Sequence, residues 1–358
     1  MLNIATIIGA RPQFVKAAPV SRILRQTHNE FLIHTGQHYD DNMSQLFFDE
    51  LGIPHPDINL DIGSGPHGEQ TGKMLVALEK VLLQQKPDLV LIYGDTNSTL
   101  AGAVVAGKLL LPVAHVEAGL RSFNRTMPEE INRILADRVS ELLFCPTQTA
   151  VQHLAAEGIA QGVHLTGDVM YDAALRFGEL AEEKNSVLQR LQVEPQNYLL
   201  ATCHRPQNTD LRENLESIVS AFIESGEQVI FPVHPRTRVF LEQFGLTDRL
   251  RGTERVRLIE PVGFLEMIQL EQNAKKILTD SGGVQKEAYF YGVPCITLRE
   301  ETEWIETVID GWNLLVGADK SKILSAIAGF HPSQPQSRHY GDGHAGEKIA
   351  EIIHDWRQ

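Results

Sequence analysis

The sequence predicts an α/β protein built as two successive parallel-sheet domains, and three observations carry that expectation. Short apolar, β-rich runs alternate with longer amphipathic stretches along nearly the whole chain, the pattern of parallel strands covered by helices on both faces. The alternation pauses at the charged, helix-prone segment 176–195 (RFGELAEEKNSVLQRLQVEP) and then restarts. The 358 residues are too many for one ordinary core and suit two domains of ~150–200 residues each.

In the first half, strands are expected at Asn3–Ile8, Phe31–Thr35, Leu89–Tyr93, Val113–Val116, Leu142–Cys145 and His164–Thr166. Helical periodicity between them is clearest over 69–85 (EQTGKMLVALEKVLLQQ) and 128–140 (PEEINRILADRVS). In the second half, strands read at Tyr198–Thr202, Val229–Pro232, Val256–Ile259, Lys276–Thr279, Cys295–Leu298 and Leu314–Val316, again with helices between. The loop-like stretch 333–346 precedes a final helix at about 344–356. The domains are expected to span 1–178 and 179–343.

Composition narrows the function. With 42% hydrophobic and 22% charged residues the chain reads as a soluble globular protein. Its net charge of −14 argues against a nucleic-acid partner, since such binders carry basic faces. A small anionic substrate stays compatible, because local Arg, Lys and helix N-termini override the global charge. The three cysteines, Cys145, Cys203 and Cys295, lie far apart with no C-x-x-C, which fits buried thiols in a reduced compartment. The opening MLNIATIIGA lacks the pattern of a signal peptide and no run is long enough to cross a bilayer, so no membrane insertion and a cytoplasmic location are expected.

Ligands of open α/β sheets bind outside the carboxyl ends of the strands, and the polar clusters of this sequence recur there. The first strand runs into Gly9-Ala10-Arg11-Pro12-Gln13-Phe14-Val15-Lys16, where an anion would meet Arg11, Lys16 and a helix dipole. The G-x-G-x-x-G fingerprint of a dinucleotide site is absent from it. Asp95 ends the buried run PDLVLIYGD, where it can either cap the next helix or serve in a site. PVAHVEAGLRS repeats the arrangement with His115 and Glu117, followed by Gly119 and Arg121, and a second acidic strand end weakens the capping explanation. Thr126-Met127-Pro128-Glu129 reads as a capping box with Glu129 at the third helical position. Glu129, Arg133 and Asp137 also share one helix face at four-residue spacing, which would present Glu129 and Arg133 together.

Later strands end at His204-Arg205 and His234-Pro235-Arg236, where a histidine can act as acid, base or phosphate ligand. None of the 14 histidines forms H-E-x-x-H or a Cys/His cluster, so no metal site is expected. In KKILTDSGGVQKEAYFYGVPCITLR a buried strand meets Asp280-Ser281-Gly282-Gly283 and a helix follows. Two glycines let a phosphate approach the free amides of the first turn, and Glu287, one turn on, faces ribose hydroxyls. Arg299 and Thr302-Glu303-Trp304 follow the next strand end.

Together these residues resemble the non-hydrolysing UDP-N-acetylglucosamine 2-epimerase family. The resemblance runs in order through GARPQFVK, GDTNSTLAG, HVEAGLRS, MPEEINR, CHR, PVHPRT, TDSGGVQKEA and YGDG, essentially the whole chain. It implies a glycosyltransferase-B-like fold of two Rossmann-like domains with the active site in the cleft between them, a last helix (344–358) returning to the N-terminal domain, and a homodimer. It also implies inversion of C2 of a UDP-sugar without NAD or metal, through elimination of UDP to a 2-acetamidoglucal-type intermediate and its re-addition. By motif match, Asp95, Glu117 and Glu129 are candidates for proton transfer and His204 is expected beside the diphosphate. Arg11, Lys16, Ser281 and Gly282 match phosphate contacts, Glu287 the ribose contact and Arg133 a further polar contact. Arg205, His234, Gly283 and Arg299 complete the expected substrate-binding set.

Two departures from the family pattern stand out. Where the plain enzymes read T-E-R-P-E this chain has Thr302-Glu303-Trp304-Ile305-Glu306. With ARPQF, LRSFN and HPRTR, that looks like the branch acting on UDP-2,3-diacetamido-2,3-dideoxyglucuronate in surface-polysaccharide synthesis, with Arg236 or Arg238 placed to answer a sugar carboxylate. In the Q-H-x-Q stretch beside which some members bind an activating second UDP-sugar, Gln37 and His38 remain but Asp40 replaces the next Gln and Lys73 a usual arginine, which weakens that site. The competing readings are a glycosyltransferase of the same fold, a hydrolysing epimerase and an inactive UDP-sugar-binding module.

Overall fold

Seven parallel strands form the first sheet of the computed structural model, which describes residues 1–37, 48, 52–184 and 187–356. They are β1 (Asn3–Ile8), β2 (Asn29–His34), β3 (Ile58–Asn59), β4 (Leu89–Tyr93), β5 (Val113–Val116), β6 (Leu142–Cys145) and β7 (Val163–Leu165), in the order β3-β2-β1-β4-β5-β6-β7. A second sheet of six parallel strands holds β8 (Leu199–Thr202), β9 (Val229–Pro232), β10 (Val256–Ile259), β11 (Lys276–Thr279), β12 (Cys295–Thr297) and β13 (Asn313–Leu315), in the order β10-β9-β8-β11-β12-β13. The expected strands all form, within a residue or two at their ends. The two-residue β3 is additional, too short to carry a periodic signal.

By contacts the chain divides into one unit of Met1–Ala173 with Arg338–Gln358 and another of Ala174–Ser337. The first division falls inside helix Val169–Lys184, which covers part of the charged segment that interrupts the strand rhythm. In the first unit the closing helix Ala345–Asp355 buries Ala345, Ile349, Ala350 and Ile353 and packs on helix Arg11–Thr27. Its first amides, Ala345 N and Gly346 N, donate to Asp172 Oδ1 and Oδ2 at 3.1 and 2.8 Å, which caps a helix whose own N-cap side chain makes no such bond.

Both sheets change winding direction once, between β1 and β4 and between β8 and β11. The crevice at such a switch point is where open α/β sheets bind ligands. The central strands β4 and β8 are buried at every residue and read as continuous apolar runs, as strands covered on both faces must. Fully burying one such Ile, Leu or Phe contributes about 1.5–3 kcal/mol. These cores therefore fix the strand ends, and with them the polar residues that follow. The three cysteines are free and buried, and burial pushes the Cys145 and Cys295 thiols up to about 12. Among the described residues no helix is long and apolar enough to cross a membrane.

Candidate active site

In the first unit two carboxylates stand at neighbouring strand ends, and each meets a cation. Asp95 follows β4, and its Oδ2 accepts from Arg133 Nη2 at 2.6 Å and Nε at 2.9 Å. Asn132 Nδ2 donates to the Asp95 carbonyl at 2.8 Å, so helix Pro128–Val139 grips both backbone and side chain. Thr96, not Asp95, caps the following helix by accepting from Thr99 N. The capping role open to Asp95 is therefore taken by its neighbour.

Glu117 follows β5, and its Oε2 accepts from Lys16 Nζ. Its backbone is left-handed, with φ of 73°, a conformation that costs a non-glycine residue roughly 1–3 kcal/mol and concentrates at functional sites. The amides of Glu117 and Ala118 both donate to the Phe144 carbonyl at 3.1 Å, which holds the chain in that turn. Gly94 (φ 61°) faces the pair: a Cβ there would lie 3.2 Å from Glu117 Oε2 and 3.4 Å from Lys16 Nζ. Gln13, which the motif reading left unassigned, joins the ends of β1 and β4 by accepting from Gly9 N (2.8 Å) and donating to the Tyr93 carbonyl (2.8 Å). Arg11, half-buried, opens the same helix as Gln13 and Lys16.

A buried network stands behind these groups. His115 Nδ1 meets Asp137 Oδ1 and its Nε2 meets the Gly94 carbonyl, both at 2.7 Å. Arg121 Nη1 donates to Asp137 Oδ2 at 2.7 Å, and its Nε and Nη2 reach Glu157 at 2.6 and 2.9 Å. Burial alone would push the Asp137 carboxyl up, but hydrogen bonds and charge from His115 and Arg121 bring it below the usual range. The His115 and Arg121 of HVEAGLR thus brace the strand ends that carry Asp95 and Glu117.

The expectation for Glu129 needs correction. The helix has Met127 at its N-cap and Pro128 first, so Glu129 is the second helical residue and not the third, and no side chain caps it. Thr126 Oγ1 donates instead to Asn124 Oδ1. Glu129 is exposed, whereas Glu130 is buried, accepting from Ser122 N (2.8 Å), Phe123 N (3.0 Å) and Arg133 Nη1 (3.2 Å). Nor is there a Glu129–Arg133–Asp137 ladder: Arg133 turns to Asp95 and Glu130, and Asp137 to His115 and Arg121. Of the second-site stretch, His38 and Asp40 lie outside the described residues. Gln37 Oε1 accepts from Ser98 N and Oγ, and Lys73 pairs with Glu69 on the surface.

In the second unit the switch point centres on Asp280, fully buried at the end of β11. Its carboxylate accepts from His204 N (3.0 Å), Arg205 N (3.0 Å) and Asn208 Nδ2 (3.0 Å), tying the β8 loop to the β11 loop. His204 Nδ1 also stands 3.5 Å from Asp280 Oδ1, and its ring lies 5.6 Å from that of His234. Burial, followed by the His204 and Arg236 charges, lowers the pKa of His234, whose Nδ1 accepts from Arg236 N at the start of the next helix. Ser281 is the N-cap of helix Gly282–Phe290, and Gly283 beside it is exposed.

Gly282 leaves room for its neighbours: a Cβ there would lie 2.5 Å from Glu303 Oε1 and 3.3 Å from Trp304 Nε1. Burial raises the Glu303 carboxyl, but Arg299 and Arg205 outweigh it and hold the group below the usual range. Arg299 Nη2 stands 3.0 Å from it and Arg205 Nη2 3.8 Å. Arg205 and Arg299 also line a cavity of about 520 Å³ with Asn208, Glu300 and Asp319. Glu271, a group 1% exposed, has its pKa raised well above the ordinary value by burial and then by the charge of half-buried Glu287. Arg236 pairs with Asp210 (2.6 and 2.7 Å) and Arg238 with Glu260 (2.7 Å), both at the surface.

Comparison with known proteins gives the family. The family model described as UDP-N-acetylglucosamine 2-epimerase matches residues 22–354. The chain is 58% identical over 354 residues to a UDP-N-acetylglucosamine 2-epimerase homolog of Methanococcus maripaludis, covering 98% of this chain and 99% of the relative. It is 50% identical to the UDP-2,3-diacetamido-2,3-dideoxy-D-glucuronate 2-epimerase of Pseudomonas aeruginosa, over 98% and 99% of the two chains. The crystal structure of Methanocaldococcus jannaschii UDP-GlcNAc 2-epimerase, in complex with UDP-GlcNAc and UDP, superposes with a TM-score of 0.88 at 46% identity, covering 98% and 99%. A UDP-sugar-bound plant protein, UGT2 of Phytolacca americana, shares the fold alone, with a TM-score of 0.56 at 13% identity. The chain belongs to the UDP-N-acetylglucosamine 2-epimerase family.

Proposed function

We propose that this protein inverts C2 of a UDP-N-acetylhexosamine by eliminating UDP and adding it back. A carboxylate takes the C2 proton, the C1–O bond breaks, and UDP leaves with the bonding electrons, giving a 2-acetamidoglucal-type intermediate. UDP then re-attacks C1 while a second acid returns a proton to C2 from the opposite face. Nothing is oxidised or reduced overall.

The observation that carries this reading is the pair of carboxylates at adjacent strand ends, Asp95 on Arg133 and Glu117 on Lys16, the second in a strained turn. A transferase needs one base and an acceptor groove; two fixed carboxylates suit two-sided proton transfer at one carbon. Glu129, exposed at a helix start, is the third candidate for proton transfer. Within the second unit, the amides of helix Gly282–Phe290 with Ser281 and Gly283 suit a diphosphate, Glu287 a ribose, and His204, Arg205, His234 and Arg299 a departing phosphate. Within the first unit, Arg11 is a further candidate for an anion contact.

The deciding experiment is incubation in D₂O with UDP-N-acetylglucosamine and, separately, its 2,3-diacetamido-uronate counterpart. Deuterium at C2 without any acceptor supports epimerisation, and the substrate that exchanges faster identifies the sugar. Irreversible release of free sugar and UDP would instead indicate a hydrolysing enzyme, and turnover only with an acceptor a transferase.

We infer further that the protein works as a homodimer in the cytoplasm, in surface-polysaccharide or lipopolysaccharide synthesis. Support for the dimer is the exposure of Val76, Leu83, Leu135 and Val139 on helices of the first unit and of Leu110 in the turn after helix Asn97–Lys108. Sedimentation of a Val76→Glu, Leu83→Glu double variant as a monomer would agree with it. Three buried free thiols suit a reducing compartment.

A further inference from the structure

We propose that the indole N–H of Trp304 donates a hydrogen bond to a phosphate oxygen of the UDP moiety at the N-terminus of helix Gly282–Phe290. The proposal rests on the reading of that helix as the diphosphate site and adds a donor from a different element.

Trp304 is 7% exposed, yet its Nε1 is fully buried and meets no acceptor among the described residues. Buried N–H groups are almost always paired, and those that are not call for a functional explanation. This one lies 3.3 Å from the point where a side chain on Gly282 would begin, beside the Glu303 carboxylate that Arg299 and Arg205 hold. The first-turn amides of the nine-residue helix gather there, and no helix can pair those internally. A second buried donor, Arg299 Nη1, also lacks an acceptor among the described residues, and it belongs to the guanidinium that holds Glu303. Arg205 and Arg299 thus bring two guanidinium groups to the same corner.

The indole is held rigidly. Its backbone N–H donates to Thr302 Oγ1 at 3.1 Å, its carbonyl accepts from Thr307 Oγ1 at 2.7 Å, and Lys286 Nζ sits 4.1 Å from the ring centroid. A buried cation over the face fixes which edge of the ring points where, and a rigid donor loses little freedom on binding. An arginine in this position would give a mobile charge; the tryptophan gives one directed, neutral donor.

The test is calorimetric binding of UDP and of uridine to the wild type, to Trp304→Phe, and to protein carrying 3-benzothienylalanine at 304, which keeps the indole shape without the N–H. The expected result is a loss of UDP affinity of roughly 10–100-fold in both variants, the range for a hydrogen bond to a charged group, with uridine affinity unchanged. Equal losses for UDP and uridine would assign Trp304 a structural role and overturn the proposal. Unchanged UDP affinity in the benzothienyl protein would overturn it too. In that event Ser281→Ala separates the failures: weakened UDP binding there preserves the diphosphate site, whereas no effect removes the site as well.

Discussion

Lys16 forms an ion pair with Glu117, although the two are 101 residues apart in sequence. Motif matching assigns the lysine to a phosphate; the structure sets it on a carboxylate proposed to move a proton. The two roles have different kinetic signatures. A phosphate contact held equally in ground and transition states affects KM, whereas loss of the group that orients Glu117 affects kcat. Lys16→Met is expected to lower kcat by about 10-fold or more with a smaller change in KM. Steady-state kinetics check this, and a pure KM effect would return Lys16 to the phosphate.

Asp95→Asn and Glu117→Gln keep the size of each side chain and the acceptor that faces its cation, but neither amide can take up a proton. Each substitution is expected to reduce turnover by roughly 10²-fold or more, the usual consequence of removing an acid or base. C2 exchange in D₂O, read alongside overall epimerisation, tells which half-reaction suffers. Wild-type turnover in both variants would remove these residues from the mechanism.

Adjacent glutamates should part company. Glu130→Ala leaves Arg133 and the Ser122 and Phe123 amides without their buried acceptor, and it is expected to cost about 3 kcal/mol of stability. Glu129→Gln, on an exposed side chain, should leave the melting temperature unchanged and reduce only turnover. Denaturant titration and an activity assay together separate the two. Loss of stability in the Glu129 variant would contradict the exposure that distinguishes them.

The same pair marks where the sequence stops being legible. Strands β4 (LVLIY), β8 (LLAT) and β11 (KILT) each carry adjacent apolar residues just before a polar cluster, so their ends, and with them Asp95, His204 and Asp280, are legible directly. Which of Glu129 and Glu130 turns inward depends on one residue of helix phase, set by Pro128 occupying the first helical position with no side-chain cap. Four-residue spacing suggested a Glu129–Arg133–Asp137 ladder, but long-range partners, Asp95 for Arg133 and Arg121 for Asp137, outcompete local ones. Asp280 was visible as a strand end, yet its work in holding the His204 and Arg205 amides is a contact across 75 and 76 residues that no local pattern encodes.

Glu287, the proposed ribose contact, stands beside a second carboxyl, Glu271. Burial first, and the Glu287 carboxylate second, raise the Glu271 pKa well above 4.5, so Glu271 keeps its proton beyond the ordinary carboxylate range. Glu287→Ala should raise KM for the UDP-sugar with little change in kcat. The stability consequence has a definite sign. The folded protein retains a proton that the unfolded chain releases above about 4.5, so this contribution is complete below that pH and is lost as pH rises through the folded value. Glu271→Gln carries a permanent N–H donor in place of the carboxylic acid and does not titrate. Its melting temperature relative to wild type should climb as the buffer becomes alkaline, with UDP affinity preserved. A difference between the two proteins that stays constant with pH would mean that Glu271 holds no such proton.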